Sequence, residues 1–264
     1  MMRRARRSMW AAALLLACAN LSTVAVAEQQ KPTISPAADR ILRHMGDYLK
    51  AALQLSFQAE ITYDDLLPTG QKLQLGATYE VAVRRPDRVY TTYSGDLDER
   101  RFWYDGKTAT LYDPVLGVYA SERAKATIDA TVEHLIKVLG FTPPLSDLMT
   151  SDPAATLRKN VLFGFVVGPT QVGGVPCHHL AFVERNIDWQ IWIEEGTAVV
   201  PRKLVITYKE LPGAPQFTAL LSGWDLATRP PDSLFEAATP PEASRISFLA
   251  TAKAGTAKTA EGGK

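Results

Sequence analysis

Between positions 188 and 194 every second residue is large and apolar: Trp189, Ile191 and Ile193 share one face, Asp188, Gln190 and Glu194 the other. A period of two requires an extended chain with one face drier than the other. After Glu195-Gly196 the pattern returns over 202–209, where Leu204, Ile206 and Tyr208 alternate with Lys203, Val205, Thr207 and Lys209. Upstream, Leu55, Phe57, Ala59, Ile61 and Tyr63 alternate with Gln58, Glu60 and Thr62, and Pro68-Thr69-Gly70 turns the chain. Leu73, Leu75, Ala77, Tyr79, Val81 and Val83 carry the alternation back, so the two runs read as one long antiparallel hairpin. Further strands are predicted at 88–93, 100–104, 108–112 and 118–121, and again at 161–167, 177–184 and 216–226. Asp105-Gly106 is a tight-hairpin signal, since it supplies the positive φ such turns need.

Two stretches follow the helical period instead. Ser35-Pro36 is a helix start, with the hydroxyl capping free amides and the Pro where no donor is needed. Ile41, Leu42, Met45, Tyr48, Leu49, Ala52 and Leu53 then form one apolar stripe. From 127 to 139, Ile128, Val132, Leu135, Ile136 and Leu139 form another, and short helices are predicted near 145–150 and 153–157. The order is helix, six strands, helical insertion, five strands. That is an α+β fold, one antiparallel sheet of about 11 strands whose apolar face must be covered by helices, a second sheet or a bound apolar molecule. If a cavity exists, alternation makes its walls Leu73, Leu75, Tyr79, Val81, Trp189, Ile191, Ile193, Leu204 and Ile206, facing the helices headed by Ile41 and Ile128. Alternation leaves open which face is concave.

The N-terminus changes the compartment. Arg3, Arg4, Arg6 and Arg7 precede an uncharged run through Ala27 with Leu14, Leu15 and Leu16, and Ala25 and Ala27 form the small-residue site a signal peptidase needs. Residues 1–27 are expected to be an export signal cleaved after Ala27, leaving a periplasmic protein. A membrane anchor fits less well, because Asn20, Ser22 and Thr23 interrupt the run. Leu15-Leu16-Ala17-Cys18 offers a competing processing site, a lipobox whose Cys18 would be acylated to give an outer-membrane lipoprotein. Membrane contact is therefore expected to be peripheral, or through a lipid anchor on Cys18. Residues 28–34 read as a linker, 35–249 as a single domain, and 250–264, without a large apolar residue, as a disordered tail. Loss of the leader removes four of the 29 bases and none of the 28 acids, leaving a net charge of −3 that does not invite nucleic acid. Cys177 is then a single thiol, and the core alone must hold the fold.

Candidate chemistry is sparse. Cys177, His178 and His179 suggest a metal, but neighbours in a strand point to opposite faces, so Cys177 with His179 is the compatible pair and still lacks partners. A small buried thiol beside structural histidines is the simpler account. Asp96, Asp98 and Glu99 lie in a turn beside Arg100 and Arg101, which reads as a solvated charged loop more readily than a calcium site. Asp64-Asp65 reads as a hairpin end. Phosphate loops, H-E-x-x-H and G-x-S-x-G are absent from the sequence, so no catalytic residue, metal or cofactor is assigned and no enzyme activity is expected. Trp192 breaks the polar face of its strand, as a residue under a covering element or at a pocket mouth would.

Three runs carry a resemblance: Gly174-Val175-Pro176-Cys177-His178-His179-Leu180-Ala181-Phe182, then Asp188-Trp189-Gln190-Ile191-Trp192-Ile193-Glu194, then Pro201-Arg202-Lys203-Leu204-Val205-Ile206-Thr207-Tyr208. In this order they resemble domain-of-unknown-function family 2092, over about residues 37–248. That family is similar to the superfamily of the lipoprotein carrier LolA, the outer-membrane receptor LolB and the sensory domain of RseB. The resemblance implies a LolA-like curved antiparallel half-barrel with an N-terminal helix and inserted lid helices. It implies a lipid or other apolar small molecule as partner, or alternatively a sensor or adaptor binding an envelope protein over a self-filled core. It transfers no individual binding residue.

Overall fold

The computed structural model describes residues 33–139 and 142–248. The expected leader, the expected tail and most of the expected linker lie outside the described residues. The described strands are β1 Thr33–Ile34, β2 Gln54–Leu66, β3 Lys72–Arg84, β4 Arg88–Gly95, β5 Glu99–Tyr104, β6 Thr108–Asp113 and β7 Val118–Arg123. After the insertion come β8 Phe163–Val172, β9 Val175–Val183, β10 Ile187–Glu194, β11 Pro201–Tyr208, β12 Gln216–Asp225 and β13 Ser244–Ile246. They form one 13-stranded sheet in the order β1-β8-β9-β10-β11-β12-β2-β3-β4-β5-β6-β7-β13, curved and unclosed. The eleven strands predicted from alternation are all present and pair antiparallel. The two further strands are short parallel additions at the edges, β1 on β8 and β13 on β7. The end of the expected linker is therefore a strand: Thr33 N–H donates to the Leu162 carbonyl and Ser35 N–H to that of Gly164, each at 2.8 Å.

Helix α1, Pro36–Ala51, starts as its sequence dictates, with Ser35 Oγ accepting from the Ala38 amide. Its buried stripe, Ala38, Leu42, Met45 and Leu49, packs on the face of β10 and β8. The insertion holds α2, Ile128–Leu139, a single 3-10 turn at Ser146–Leu148, and α3, Pro153–Arg158. Gly46 is required where α1 meets α3: a Cβ there would lie 2.3 Å from Ala154 Cβ, so a larger residue would push the helices apart. In α2, Ile128 and Leu135 are buried against the sheet, whereas Ile136, expected in the same stripe, is exposed. It stands one residue round the helix from Leu135, at the edge of a narrow stripe.

The insertion is tied to the sheet by polar groups. Arg85, after β3, donates to the carbonyls of Ala52 at 3.0 Å and Thr150 at 2.7 Å, and the Ile128 amide donates to the Pro86 carbonyl at 2.9 Å. Asp129 accepts from both the amide and the hydroxyl of Ser151. On the face away from the helices the chain after β12 runs across β3 and β4. Arg84 pairs with Asp232 and lies over the fully buried ring of Phe235, and its guanidinium donates to the Pro230 carbonyl at 3.2 Å. Among the described residues no helix is long and apolar enough to cross a membrane.

Candidate ligand-binding site

Strand pairing fixes the helix-facing side. Phe57 stands opposite Val81, Ala59 opposite Tyr79, Tyr79 opposite Tyr93, Thr91 opposite Phe102, and Phe102 opposite Leu111. Direct partners share a face, so β2 to β6 present one continuous row that ends in Arg100, paired with Tyr93. Ile128, Thr131, Val132 and Leu135 of α2, with Met149, close the row at its Val89 and Tyr104 end. Past the helix, Thr142, Pro143 and Pro144 lie over the row, and beneath them is a cavity of about 260 Å³. Proline brings no N–H to satisfy, which suits a backbone facing an apolar space.

The walls are Ile61, Tyr79, Phe102, Leu111 and Phe217, with Thr91 as a buried polar group; Tyr63, Tyr93, Asp98 and Arg100 complete the lining. Asp98 and Arg100 form an ion pair at 2.5 Å. The Tyr93 ring leans back over Gly95, where a Cβ would come within 2.9 Å of it, so the glycine makes room for the ring. Burial first, and the neighbouring Tyr63 hydroxyl second, hold the Tyr93 phenol above its ordinary range. Burial likewise raises Tyr79, against a smaller opposing pull from Thr91. Both phenols are therefore neutral donors at physiological pH.

Of the residues expected from sequence, Tyr79 lines this cavity and Ile128 the narrow cleft beside it. Val81 is buried on the same face, Leu75 is half-buried, and Leu73, near the hairpin tip, is 36% exposed beyond the helical cover. Of the residues expected on β10 and β11, Ile191 and Ile193 have 0% exposure, and Trp189 and Leu204 are buried with them in the core shared with α1. A side chain with no accessible surface borders no void large enough for water, so Ile191 and Ile193 are packing residues. Ile206 is partly buried against that core, and Ile41 lies at its edge, on a surface groove with His44, His178 and Glu195.

The other chemical candidates are occupied. Cys177 is buried with its thiol directed to the Val175 carbonyl at 3.4 Å, and burial raises the thiol above its usual range. His179 stacks on Trp192 with centroids 4.0 Å apart, and its Nε2 is 2.9 Å from Gln190 Oε1. Lys203 Nζ lies 4.7 Å from the Trp192 ring centroid, so Trp192 is held on the face away from α1 between a histidine and a lysine rather than beneath a cover or at a pocket mouth. Among the described residues no three metal-ligating side chains converge. Sequence reasoning misses Thr91, Tyr93 and Leu111, although alternation extended through the short strands places them beside Phe102. Arg100 reads as loop charge unless its parity with Phe102 is used.

The model of a family described as "predicted periplasmic protein (DUF2092)" matches residues 38–249, most of the chain. The chain belongs to this family. No curated protein matches it. Among solved structures, this DUF2092 member is similar to LprF from Mycobacterium bovis, with 14% identity, 81% of this chain and 100% of that one covered, and a TM-score of 0.46. An uncharacterized conserved protein from Thermus thermophilus is similar at 10% identity, 80% and 99% coverage and TM-score 0.46. The LolA superfamily protein NE2245 from Nitrosomonas europaea is similar at 8%, 76% and 98%, with TM-score 0.36.

Proposed function

We propose that this DUF2092 protein is exported and holds a lipid or other apolar molecule between its curved sheet and the helical insertion, without catalysing a reaction. The observation that carries this reading is the 260 Å³ cavity under Pro143-Pro144, walled by Ile61, Tyr79, Phe102, Leu111 and Phe217. Burying apolar carbon there would supply about 0.8 kcal/mol per methylene, so affinity needs few polar contacts. The test is native mass spectrometry of protein made with its own leader and purified from a periplasm without detergent, beside Leu111→Trp, whose added bulk occupies the cavity. The expected result is an extractable bound molecule on the wild type that the variant lacks. An empty wild type, or equal loading of both, would contradict the reading. The same spectrum reports a mature chain beginning at Glu28 or one acylated at Cys18.

A second reading, a surface that binds another envelope protein, draws on β8, where Phe163, Phe165 and Val167 are exposed and the two rings lie 5.7 Å apart. A stoichiometric partner recovered by wild type and lost with Phe165→Asp would favour it.

A further inference from the structure

Positive charge gathers without a counter-charge at the end of β5 to β7 where α2 begins. The β5–β6 turn with Lys107, the end of β7 with Arg123 and Lys125, and Arg245 of β13 line one open groove of about 900 Å³. All four cations are exposed, and among the described residues no carboxylate forms an ion pair with any of them. The acid in the lining, Glu122, is engaged elsewhere: its Oε1 lies 3.0 Å from His134 Nε2 of α2. Asp105, in the adjoining turn, accepts from the Lys107 and Thr108 amides at 2.8 and 2.7 Å. The chain as a whole is nearly balanced, with 29 bases against 28 acids, so composition does not account for this local excess. Like charges drawn together by folding repel one another, and here the protein brings three segments distant in sequence to one place without an anion to offset them.

The backbone that presents these side chains is fixed. Ala124 N–H donates to the Lys107 carbonyl at 2.8 Å, and the Tyr104 hydroxyl to the Lys125 carbonyl at 2.7 Å. Arg123 stands opposite Thr108 in the β6–β7 ladder. The Arg245 guanidinium donates to the Ser121 carbonyl at 3.1 Å, which orients its fork and leaves further donors free. The rest of the lining is small or polar, including Gly106, Thr108 and Ser121, without a large apolar side chain. The groove therefore offers charge and hydrogen bonds rather than apolar surface, and its volume is within the ~300–1,000 Å³ of small-molecule sites. It shares no residue with the 260 Å³ cavity.

We infer that this groove is a second site, and that it binds a compact, multiply charged phosphate group. A single carboxylate carries one charge, whereas linked phosphates place several within a few bonds and meet both the lysine ammoniums and the planar arginine forks. The group belongs to a soluble polyanion or to the headgroup of an anionic lipid, and the test separates these sources.

Sodium tripolyphosphate is titrated calorimetrically into full protein purified from the periplasm: wild type, Lys107→Gln/Arg123→Gln/Lys125→Gln, and a control, Arg40→Gln/Lys159→Gln/Arg185→Gln, which removes equal charge from exposed positions outside the groove. Wild type is expected to bind, the groove variant to bind about a hundredfold more weakly, and the control to bind like wild type. Independently of any variant, inorganic monophosphate should bind wild type at least about tenfold more weakly than tripolyphosphate, having fewer charges to pair. Phosphatidylcholine vesicles with and without cardiolipin, whose headgroup carries two phosphates, identify the source. Cardiolipin-dependent pelleting that tripolyphosphate reverses assigns the group to a lipid headgroup; tripolyphosphate binding without pelleting assigns it to a soluble anion. The inference is overturned if tripolyphosphate does not bind wild type, if the groove and control variants bind it equally, or if monophosphate binds as tightly. Pelleting without tripolyphosphate binding would overturn it as well, since it would place the attraction in the bilayer surface rather than in the groove. None of these outcomes bears on the cavity as a ligand site.

Discussion

The sheet under α1 and the sheet under α2 carry the same alternation and end differently. Beneath α1, Leu180, Ile191 and Ile193 meet Leu42, Met45 and Leu49, and all six have 0% exposure. Gly46 lets α3 close against α1 over that layer. Beneath α2 the cover is shorter. Ile128 and Leu135 are buried over the Val89 and Tyr104 end, and then Thr142, Pro143 and Pro144 take over, leaving Tyr63, Tyr93, Leu111 and Phe217 only half-buried around a cavity. Alternation decides which side chains face inward. The bulk that the covering segment brings decides whether they meet a neighbour or a space, so a self-filled core and a cavity coexist on one sheet.

The largest expected break in this contrast is Ile191→Asp. A carboxylate in that dry layer has no partner, and the loss should exceed about 4 kcal/mol, visible as absent tertiary structure in near-ultraviolet circular dichroism. If the variant stays folded, the α1 half is not packed as described. Added bulk should come next, with opposite signs in the two halves. Leu111→Phe is expected to stabilise by about 0.5–2 kcal/mol by filling the cavity, while Leu180→Phe should destabilise by about 1–3 kcal/mol through overpacking. Each kcal/mol corresponds to about 2–4 °C in Tm for a domain of this size. Losses in both would mean that the two halves are equally full.

The smallest effect concerns the tie between α1 and α3. Asp152 caps α3 by accepting from the Ala155 amide and pairs with Lys50 of α1 at 2.7 Å. Lys50, followed by that amide, holds its carboxyl below the ordinary 3.8. The folded protein therefore binds this proton less tightly than the unfolded chain. The resulting stability is present above pH 3.8 and is lost as pH falls through the lower folded value. Asp152→Asn keeps a capping oxygen and removes the charge. It should cost under about 1 kcal/mol at neutral pH, since the pair is exposed, and the gap in Tm to wild type should close in strong acid. A gap independent of pH would assign the effect to the cap rather than to the charge.

Much of this architecture was legible in the residues. Ser35-Pro36 marked the start of α1, Leu55 to Val83 carried the hairpin, and Asp105-Gly106 marked the β5–β6 turn. The edge strands Thr33–Ile34 and Ser244–Ile246 were not, because two or three residues hold no measurable period. Phe235, fully buried under Arg84, was equally silent, since one aromatic in a proline-rich stretch has no pattern around it. For the candidate site, alternation put Tyr79 and Ile191 alike on the helix-facing side and could not separate them. That difference lies in what the insertion places opposite each residue, which is a property of tertiary contacts and not of either strand.

On the proposed reading a ligand enters the space under the Pro143-Pro144 segment and leaves the layer beneath α1 untouched. The most direct measurement is methyl NMR on protein labelled at isoleucine and leucine methyls, titrated with prodan, a dimethylaminonaphthalene bearing a propionyl ketone. Ile61 and Leu111 should shift progressively and saturate together, while Ile191, Ile193 and Leu180 stay in place. Saturating shifts at Ile191 and Leu180, with Ile61 and Leu111 unmoved, would contradict the account.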